Sequence, residues 1–470
     1  MATGLSKTKW NGDTSTTSGK QTSIVLSYDG KTLEKEVLAT PAAKVQQVYP
    51  KEEMASPQKR LYFGDNLEIL ALLLHDPSVA GKVSLVAIDP PYATNSVFQS
   101  RSQEDAYLDL LTGSTYLEFV RKRLIILREL LSTSGSIYVH LDDKMVFPVK
   151  LLMDELFGER NFRNLITRKK CNPKNYTRKA FGNISDYILF YTKSDKYTWH
   201  RPFLPWDDEG MRREYNYVES KTGRRFKKVP VHAPGVRNGE TGKPWRGKLP
   251  PPGKHWQYPP DTLNEMDKRG EIYWSPSGNP RRKIFFDRNS GIPLQDIWLD
   301  FKDAHNQNIH ITGYPTEKNL EMLKVLIEAS SDEGDLVLDC FAGSGTTLIA
   351  ANSLKRNWIG IDNSPQSIKT IVQRLHFGTR PMGDFVDKRN FGSKGQIELF
   401  LGPTQSIEES HTARIDNWKS IDDYSLFTVE EHIYQLPELI LPKPVAENKL
   451  PSYVAQRKGA RRKHQKSLTK

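Results

Sequence analysis

Residues Leu336 to Asp362 constrain the fold more than any other stretch of this chain. Leu336-Val337-Leu338-Asp339-Cys340 reads as a short apolar strand entering the turn Phe341-Ala342-Gly343-Ser344-Gly345-Thr346-Thr347. Leu348-Ile349-Ala350-Ala351 then begins a helix, and Trp358-Ile359-Gly360-Ile361-Asp362 supplies a second apolar strand. Strand, glycine turn, helix and strand make a βαβ unit, whose strands are parallel and whose faces need covering by further layers. A wider, mostly parallel sheet flanked by helices is therefore expected. Gly343 and Gly345 permit backbone angles and a close ligand approach that a Cβ would block. In nucleotide-binding units of this form, an acid about twenty residues past the first glycine accepts from ribose hydroxyls, and Asp362 stands there. A phosphate-binding loop would need Gly-Lys-Ser/Thr, and no lysine is present, so NTP binding is not expected.

A second strand, Val86-Ala87-Ile88, runs into Asp89-Pro90-Pro91-Tyr92. The two prolines remove two backbone donors and fix φ, so the Pro90 carbonyl and the Asp89 carboxylate can be held as acceptors facing one way. Tyr92 adds a ring that can stack on a base. Together these groups suit an exocyclic amine on a flat heterocycle.

With both blocks present, the chain resembles the S-adenosylmethionine-dependent amino methyltransferases that modify DNA. The catalytic block precedes the cofactor block, as in the β class of that family. Tyr62-Phe63-Gly64-Asp65-Asn66-Leu67, Gly135 to Asp142 and Gly313-Tyr314-Pro315-Thr316-Glu317-Lys318-Asn319 also look like segments of modification subunits of type III restriction systems. Two departures, Asn319 and Cys340 where relatives usually carry proline, touch no expected hydrogen bond.

The resemblance implies an α/β fold: a doubly wound, Rossmann-like methyltransferase sheet, circularly permuted, with an inserted target recognition domain. It implies S-adenosyl-L-methionine as cofactor, with Asp339, Phe341, Ala342, Gly343, Ser344, Gly345, Thr346, Asp362 and Asn363 lining its site and Asp65, Thr316 and Lys318 as second-rank contacts. Asp89, Pro90, Pro91 and Tyr92 are the expected catalytic residues, acting on adenine N6. Adenine is favoured over cytosine N4 because Asp stands where N4 enzymes more often carry Ser. Neither cysteine follows a proline, so ring-carbon methylation through a Pro-Cys nucleophile is disfavoured. Cytosine N4 methylation, an RNA substrate and a catalytically inert DNA-binding subunit remain open at this level.

Five segments are expected: an extension with a hairpin at 1–58, a catalytic half at 59–196, the recognition insert at 197–310, a cofactor half at 311–394 and a C-terminal extension at 395–470. The hairpin rests on Ser23 to Tyr28, Asp29-Gly30 and Lys31 to Leu38. A Thr115/Glu118 capping box is expected to open a helix over 116–131. In the insert, Lys221, Arg224, Arg225, Lys227 and Lys228 form one basic cluster and Arg281, Arg282 and Lys283 another, both expected to face DNA. Trp245, Trp256, Trp274 and Trp298 are expected to pack a small β-rich core.

A formal charge of +12 fits a polyanionic partner. Residues 455–470, with Arg457, Lys458, Arg461, Arg462, Lys463, Lys466 and Lys470, suit phosphate contact without base reading. Expected partners are double-stranded DNA and a second copy of the chain, with a restriction subunit left open. Two cysteines without metal or disulfide spacing, no apolar span of membrane length and no signal-like start imply a cytoplasmic protein without metal or membrane association.

Overall fold

In the computed structural model the described residues are 25–50, 58–91, 97–99, 105–108, 113–173, 179–287, 291–303, 317–379 and 419–435. The chain forms two compact units, Arg201–Gln295 and a larger one made of Met1–His200 with Asp296–Lys470.

The larger unit runs, in chain order, α1 (Glu34–Leu38), β1 (Val45–Tyr49), β2 (Lys59–Phe63), α2 (Asn66–Leu74), β3 (Val83–Ile88), α3 (Gly113–Leu130), β4 (Leu131–Leu141), α4 (Val146–Phe157), β5 (Phe162–Lys169) and β6 (Ser185–Thr192). It continues after the insert with β7 (Ile297–Trp298), α5 (Leu320–Ser330), β8 (Leu336–Asp339), α6 (Thr346–Ser353), β9 (Asn357–Asp362), α7 (Pro365–Phe377) and β10 (Ser425–Val429). These strands form one sheet in the order β1-β10-β2-β9-β8-β3-β4-β6-β5-β7. The run from β10 to β4 is parallel, while β6 is antiparallel to both neighbours. Strands buried on both faces carry apolar residues at consecutive positions, as Leu85 to Ile88 and Ile137 to Val139 do.

The winding reverses between β8 and β3: β8 leads through α6 to β9 on one side, β3 through α3 to β4 on the other. Ligands of open α/β sheets bind at the carboxyl ends of strands flanking such a switch point. Close packing fixes the geometry there. A Cβ on Gly360, in β9, would lie 2.5 Å from Leu348 Cδ1, so only glycine lets α6 approach the strand.

The N-terminal hairpin is corrected: Asp29-Gly30 turns, but Lys31 to Leu38 contributes α1 rather than a second arm. Its Glu-Lys-Glu-Val-Leu residues favour helix, and Leu33 N donates to Glu36 at 3.2 Å. Ser23 and Ile24 lie outside the described residues. The capping box is also corrected. Glu118 is in the second turn of α3 and accepts from Thr32 Oγ1 at 2.5 Å and Tyr28 Oη at 2.7 Å, fastening the N-terminal segment instead of its own helix end. Strand β10 comes from a stretch without any recognised motif.

Segments 197–200 and 296–303 belong to the larger unit. Arg168 explains the second of these: its wholly buried guanidinium donates to Phe301 O at 2.6 Å and pairs with Asp186 and Asp303. Two carboxylates share this buried charge, so one guanidinium anchors the 296–303 segment to β5 and β6. Trp298 therefore packs on Phe301 in this unit, not in the insert core.

The smaller unit has an antiparallel sheet ordered Tyr217–Val218, Arg225–Pro230, Pro280–Phe285, Ile272–Trp274. Trp245, Trp256, Val231, Leu263, Met266 and Ile272 form its core, with Trp274 against it. The two fully buried indoles of that core both have partnered N–H groups: Trp245 donates to Asn264 at 2.8 Å and Trp256 to Lys243 O at 3.0 Å.

Candidate functional site: a cavity at the switch point

A cavity of about 460 Å³ opens at the carboxyl ends of β8 and β3. That volume suits a small organic molecule. Asp65, Asp89, Pro90, Pro91, Lys318, Asp339, Phe341, Ala342, Gly343, Ser344, Thr346, Asp362 and Asn363 all line it. Blocks far apart in the chain thus meet because β8 and β3 are neighbours in the sheet. Gly345 is not among the lining residues but sets the turn. It sits at φ +73°, and a Cβ there would come 2.9 Å from Ile371 Cγ1. Tyr92 and Thr316 lie outside the described residues.

The glycine turn is braced by its acids. Asp339 accepts from Phe341 N at 3.0 Å. Asp362 accepts from Gly343 N at 2.8 Å and Ser364 N at 2.9 Å, so both its oxygens already bond to backbone. Ser367 Oγ donates to Gly343 O at 2.6 Å. Burial pushes the Asp339 carboxyl up to about 7, with Asp89 and Asp362 nearby adding to the rise. Burial likewise raises Asp362. An acid-rich cavity of this kind favours a cationic occupant.

Asp65 caps α2, accepting from Leu67 N at 2.7 Å. Its other oxygen faces Arg123 at 3.6 Å, and Arg123 lies over the Phe119 ring, 3.6 Å from the centroid. Phe119 and Phe341, centroids 5.9 Å apart, supply apolar wall. Asn66 Nδ2 donates to Cys340 O at 2.7 Å, tying α2 to the end of β8. These features fit a ligand with a flat ring, hydroxyls and positive charge, and the donor set suits S-adenosylmethionine.

Lys318 is placed beside the Asp89-Pro90-Pro91 segment: its Nζ is 2.7 Å from Asp89 Oδ2, the side chains being 12% and 25% exposed. Sequence reasoning missed His140 and Asp186. His140 lines the cavity and meets Asp186 at 3.2 Å, and Asp186 also holds Lys170 at 2.9 Å. Burial and the nearby Lys318 push the His140 imidazole down, so it is neutral near pH 7. Burial alone would raise Asp186, but its bond to His140 and the surrounding cations hold it well below the usual carboxylate range. Their signal was present as alternation in Ile137 to Leu141 and Ser185 to Thr192, where a polar side chain breaks an apolar run.

The basic residues of the smaller unit divide. Lys227 pairs with Glu214 at 2.6 Å, Lys283 with Glu219 at 2.8 Å, and Arg282 donates to Tyr258 Oη at 2.8 Å. Arg225 donates to Tyr215 O at 3.4 Å, and Lys228 sits 3.5 Å from the centroids of both Tyr217 and Tyr273. Arg224 lies 4.4 Å from the Phe285 centroid but is exposed, as are Lys221 and Arg281. No cluster of metal-ligating residues occurs among the described residues, and no described helix is long and apolar enough to cross a membrane.

Comparison with known proteins bears on this site. A DNA methylase family model, N6_N4_Mtase, matches residues 83–373. The type II methyltransferase M.EcaI of Enterobacter cloacae is 46% identical over 82% of this chain and 84% of its own. The Mod subunit of the type III restriction-modification enzyme StyLTI of Salmonella typhimurium is 28% identical, covering 62% of this chain and 49% of the subunit, so this chain spans about half of that relative. Among solved structures, an M1.HpyAVI–SAM complex gives 18% identity, 67% and 99% coverage and a TM-score of 0.35. The cytosine-N4-specific PvuII DNA methyltransferase gives 15%, 77% and 96% coverage and 0.39.

Proposed function

The chain belongs to the N6/N4 DNA methylase family, and from that premise we propose that it transfers a methyl group from S-adenosylmethionine to the N6 amine of an adenine flipped out of duplex DNA. The observation that carries the reading is the shared cavity: the Asp89-Pro90 acceptors and the glycine turn line one space.

Adenine N6 is a weak nucleophile because its lone pair is delocalised into the ring. The Asp89 carboxylate and the Pro90 carbonyl accept its hydrogens, turning the lone pair out of conjugation toward the reacting carbon. S-adenosylmethionine supplies an electrophilic methyl group on sulfonium sulfur. The N–C bond forms as the C–S bond breaks, its electron pair staying on sulfur as a neutral thioether, and the surplus amine proton leaves for solvent. No covalent enzyme intermediate is needed. Asp339 and Asp362 hold the glycine turn, and their carboxyls would favour the positive charge of a bound donor. Lys318 pairs with the Asp89 carboxylate and orients it. A base within the stack cannot reach Asp89, so flipping is part of the reading, with Tyr92 stacking on the freed base.

The smaller unit supplies target recognition, with Lys221, Arg224 and Arg281 as the exposed candidates for DNA contact and the paired cations holding the sheet that presents them. The 46% likeness to a type II methyltransferase over most of both chains favours a modification enzyme of that kind, acting on DNA in the cytoplasm. A restriction subunit as partner rests on the weaker likeness to type III Mod subunits.

Incubation with duplex DNA and cofactor labelled in the methyl group tests the reading. Wild type should label DNA, and Asp89→Ala should lose about 10²-fold or more in turnover while keeping its cofactor affinity. Near wild-type turnover in Asp89→Ala would remove Asp89 from the mechanism.

A further inference from the structure

The C-terminal stretch from Ser425 to His432 lies beyond residues 83–373, over which the family model matches, and it reaches the edge of the cavity. Strand β10 pairs in parallel with β2, Leu426 opposite Leu61 and Thr428 opposite Phe63. Beyond Phe63 the chain passes through Gly64 to Asp65, which lines the cavity. Val429 fits against Gly64 so closely that a Cβ there would stand 2.7 Å from Val429 Cγ1. The chain then turns through a 3₁₀ helix, Glu430–Gln435. Here His432 stacks on Phe63, ring centroids 4.4 Å apart and planes 20° apart. His432 Nε2 lies 3.0 Å from Asn363 Oδ1.

Asn363 follows the ribose-side acid Asp362 and lines the cavity. An amide oxygen can only accept, so His432 must carry its proton on Nε2. Its Nδ1, buried and without a partner among the described residues, is then the bare acceptor, a tautomer inferred from the hydrogen-bond pattern. With its oxygen held, the Asn363 carboxamide has its NH₂ as the end available to a ligand. An adenine ring presents three ring-nitrogen acceptors and one amino donor, so a fixed NH₂ matches it well.

We propose that His432 is a positioning residue of the cofactor site: it holds Asn363 so that the amide NH₂ is offered to the adenine ring of S-adenosylmethionine. The C-terminal segment thereby takes part in cofactor binding. This rests on the reading that the cavity binds that cofactor.

Calorimetric titration of the full chain with S-adenosylhomocysteine tests it, using His432→Phe, His432→Gln, Asn363→Ala and the double variant Asn363→Ala/His432→Phe. Phe keeps the stack on Phe63 and removes the donor. Its affinity should fall about fivefold, the scale of one lost neutral hydrogen bond. Gln, which restores an N–H donor, should recover most of that loss. The double variant should bind no worse than Asn363→Ala alone. Wild-type affinity in a folded His432→Phe, or losses that multiply in the double variant, would overturn the proposal. Asn363→Ala leaves the stack intact, and unchanged affinity there would overturn it as well, whether or not the Phe variant folds. Failure of wild type to bind S-adenosylhomocysteine would instead fell the cavity reading and the inference with it.

Discussion

Replacing Lys318 with methionine separates two roles that this lysine can serve. The resemblance implies a cofactor contact, whereas the structure puts Nζ 2.7 Å from Asp89 Oδ2. At that distance and an effective permittivity near 20, the Coulomb attraction is about 6 kcal/mol. Desolvation and competition from water reduce such a charge-assisted hydrogen bond to a net of about 1.5–3 kcal/mol. The side chains are 12% and 25% exposed, so screening takes little more. Methionine keeps the length and apolar stem but removes the charge, so Asp89 loses this partner and its orientation toward the target amine. If that interaction is expressed in the transition state, turnover should fall about 10- to 150-fold. Affinity for S-adenosylhomocysteine should stay within about threefold of wild type, and Lys318→Arg should recover part of the rate. Single-turnover methylation of a DNA substrate combined with calorimetry reads both quantities. A large loss of cofactor affinity with unchanged turnover would refute the argument and make Lys318 a cofactor ligand.

Asp339 should couple cofactor binding to pH. Its carboxyl is pushed up to about 7 by burial, so its contribution to stability is complete below the ordinary carboxylate value near 4 and is lost as pH rises toward 7. A cationic ligand favours the ionised form, so binding near pH 6 should release a proton and weaken on acidification. Calorimetry in two buffers of different ionisation enthalpy should show that release in wild type and less of it in Asp339→Asn; equal release in both would exclude Asp339. Gly345→Ala forces a side chain to φ +73° and against Ile371. It should lower the melting temperature by about 2–6 °C, from roughly 1–2 kcal/mol of backbone strain, and an unchanged melt would show that the turn relaxes freely. Tyr92→Phe should be tolerated while Tyr92→Ala loses about 1–3 kcal/mol of base stacking; equal damage in both would assign the role to the hydroxyl. Deleting residues 455–470 should weaken binding to specific and random DNA alike and flatten its salt dependence, so superimposable isotherms at several salt concentrations would rule out phosphate contact by the tail.

The central βαβ unit was legible because its residues carry local instructions: Gly345 where a left-handed turn is needed, Ser364-Pro365 where α7 begins with Ser364 accepting from Ser367 N. The meeting of Asp89 with the glycine turn was legible only through the order of motifs, since nothing local to either says that β3 and β8 are neighbours. Less local features escaped. Glu118 looked like a helix cap because its spacing from Thr115 allowed one; long-range partners in the N-terminal segment claimed it instead. Strand β10 carries its pattern in five residues, Ser425–Val429, too few for periodicity to declare, and its register is set by β1 and β2 on either side. His140 and Asp186 are single polar positions inside apolar strands, and only their pairing across β4 and β6 gives them meaning. Trp298 went to the wrong core because aromatic content marks burial without saying where.

Enzymatic digestion of DNA modified by the purified protein, followed by mass detection of the nucleosides, tests the account most directly. N6-methyldeoxyadenosine should appear with wild type and be lost with Asp89→Ala. N4-methyldeoxycytidine in its place, or no methylated nucleoside from a folded protein that binds S-adenosylhomocysteine, would contradict it.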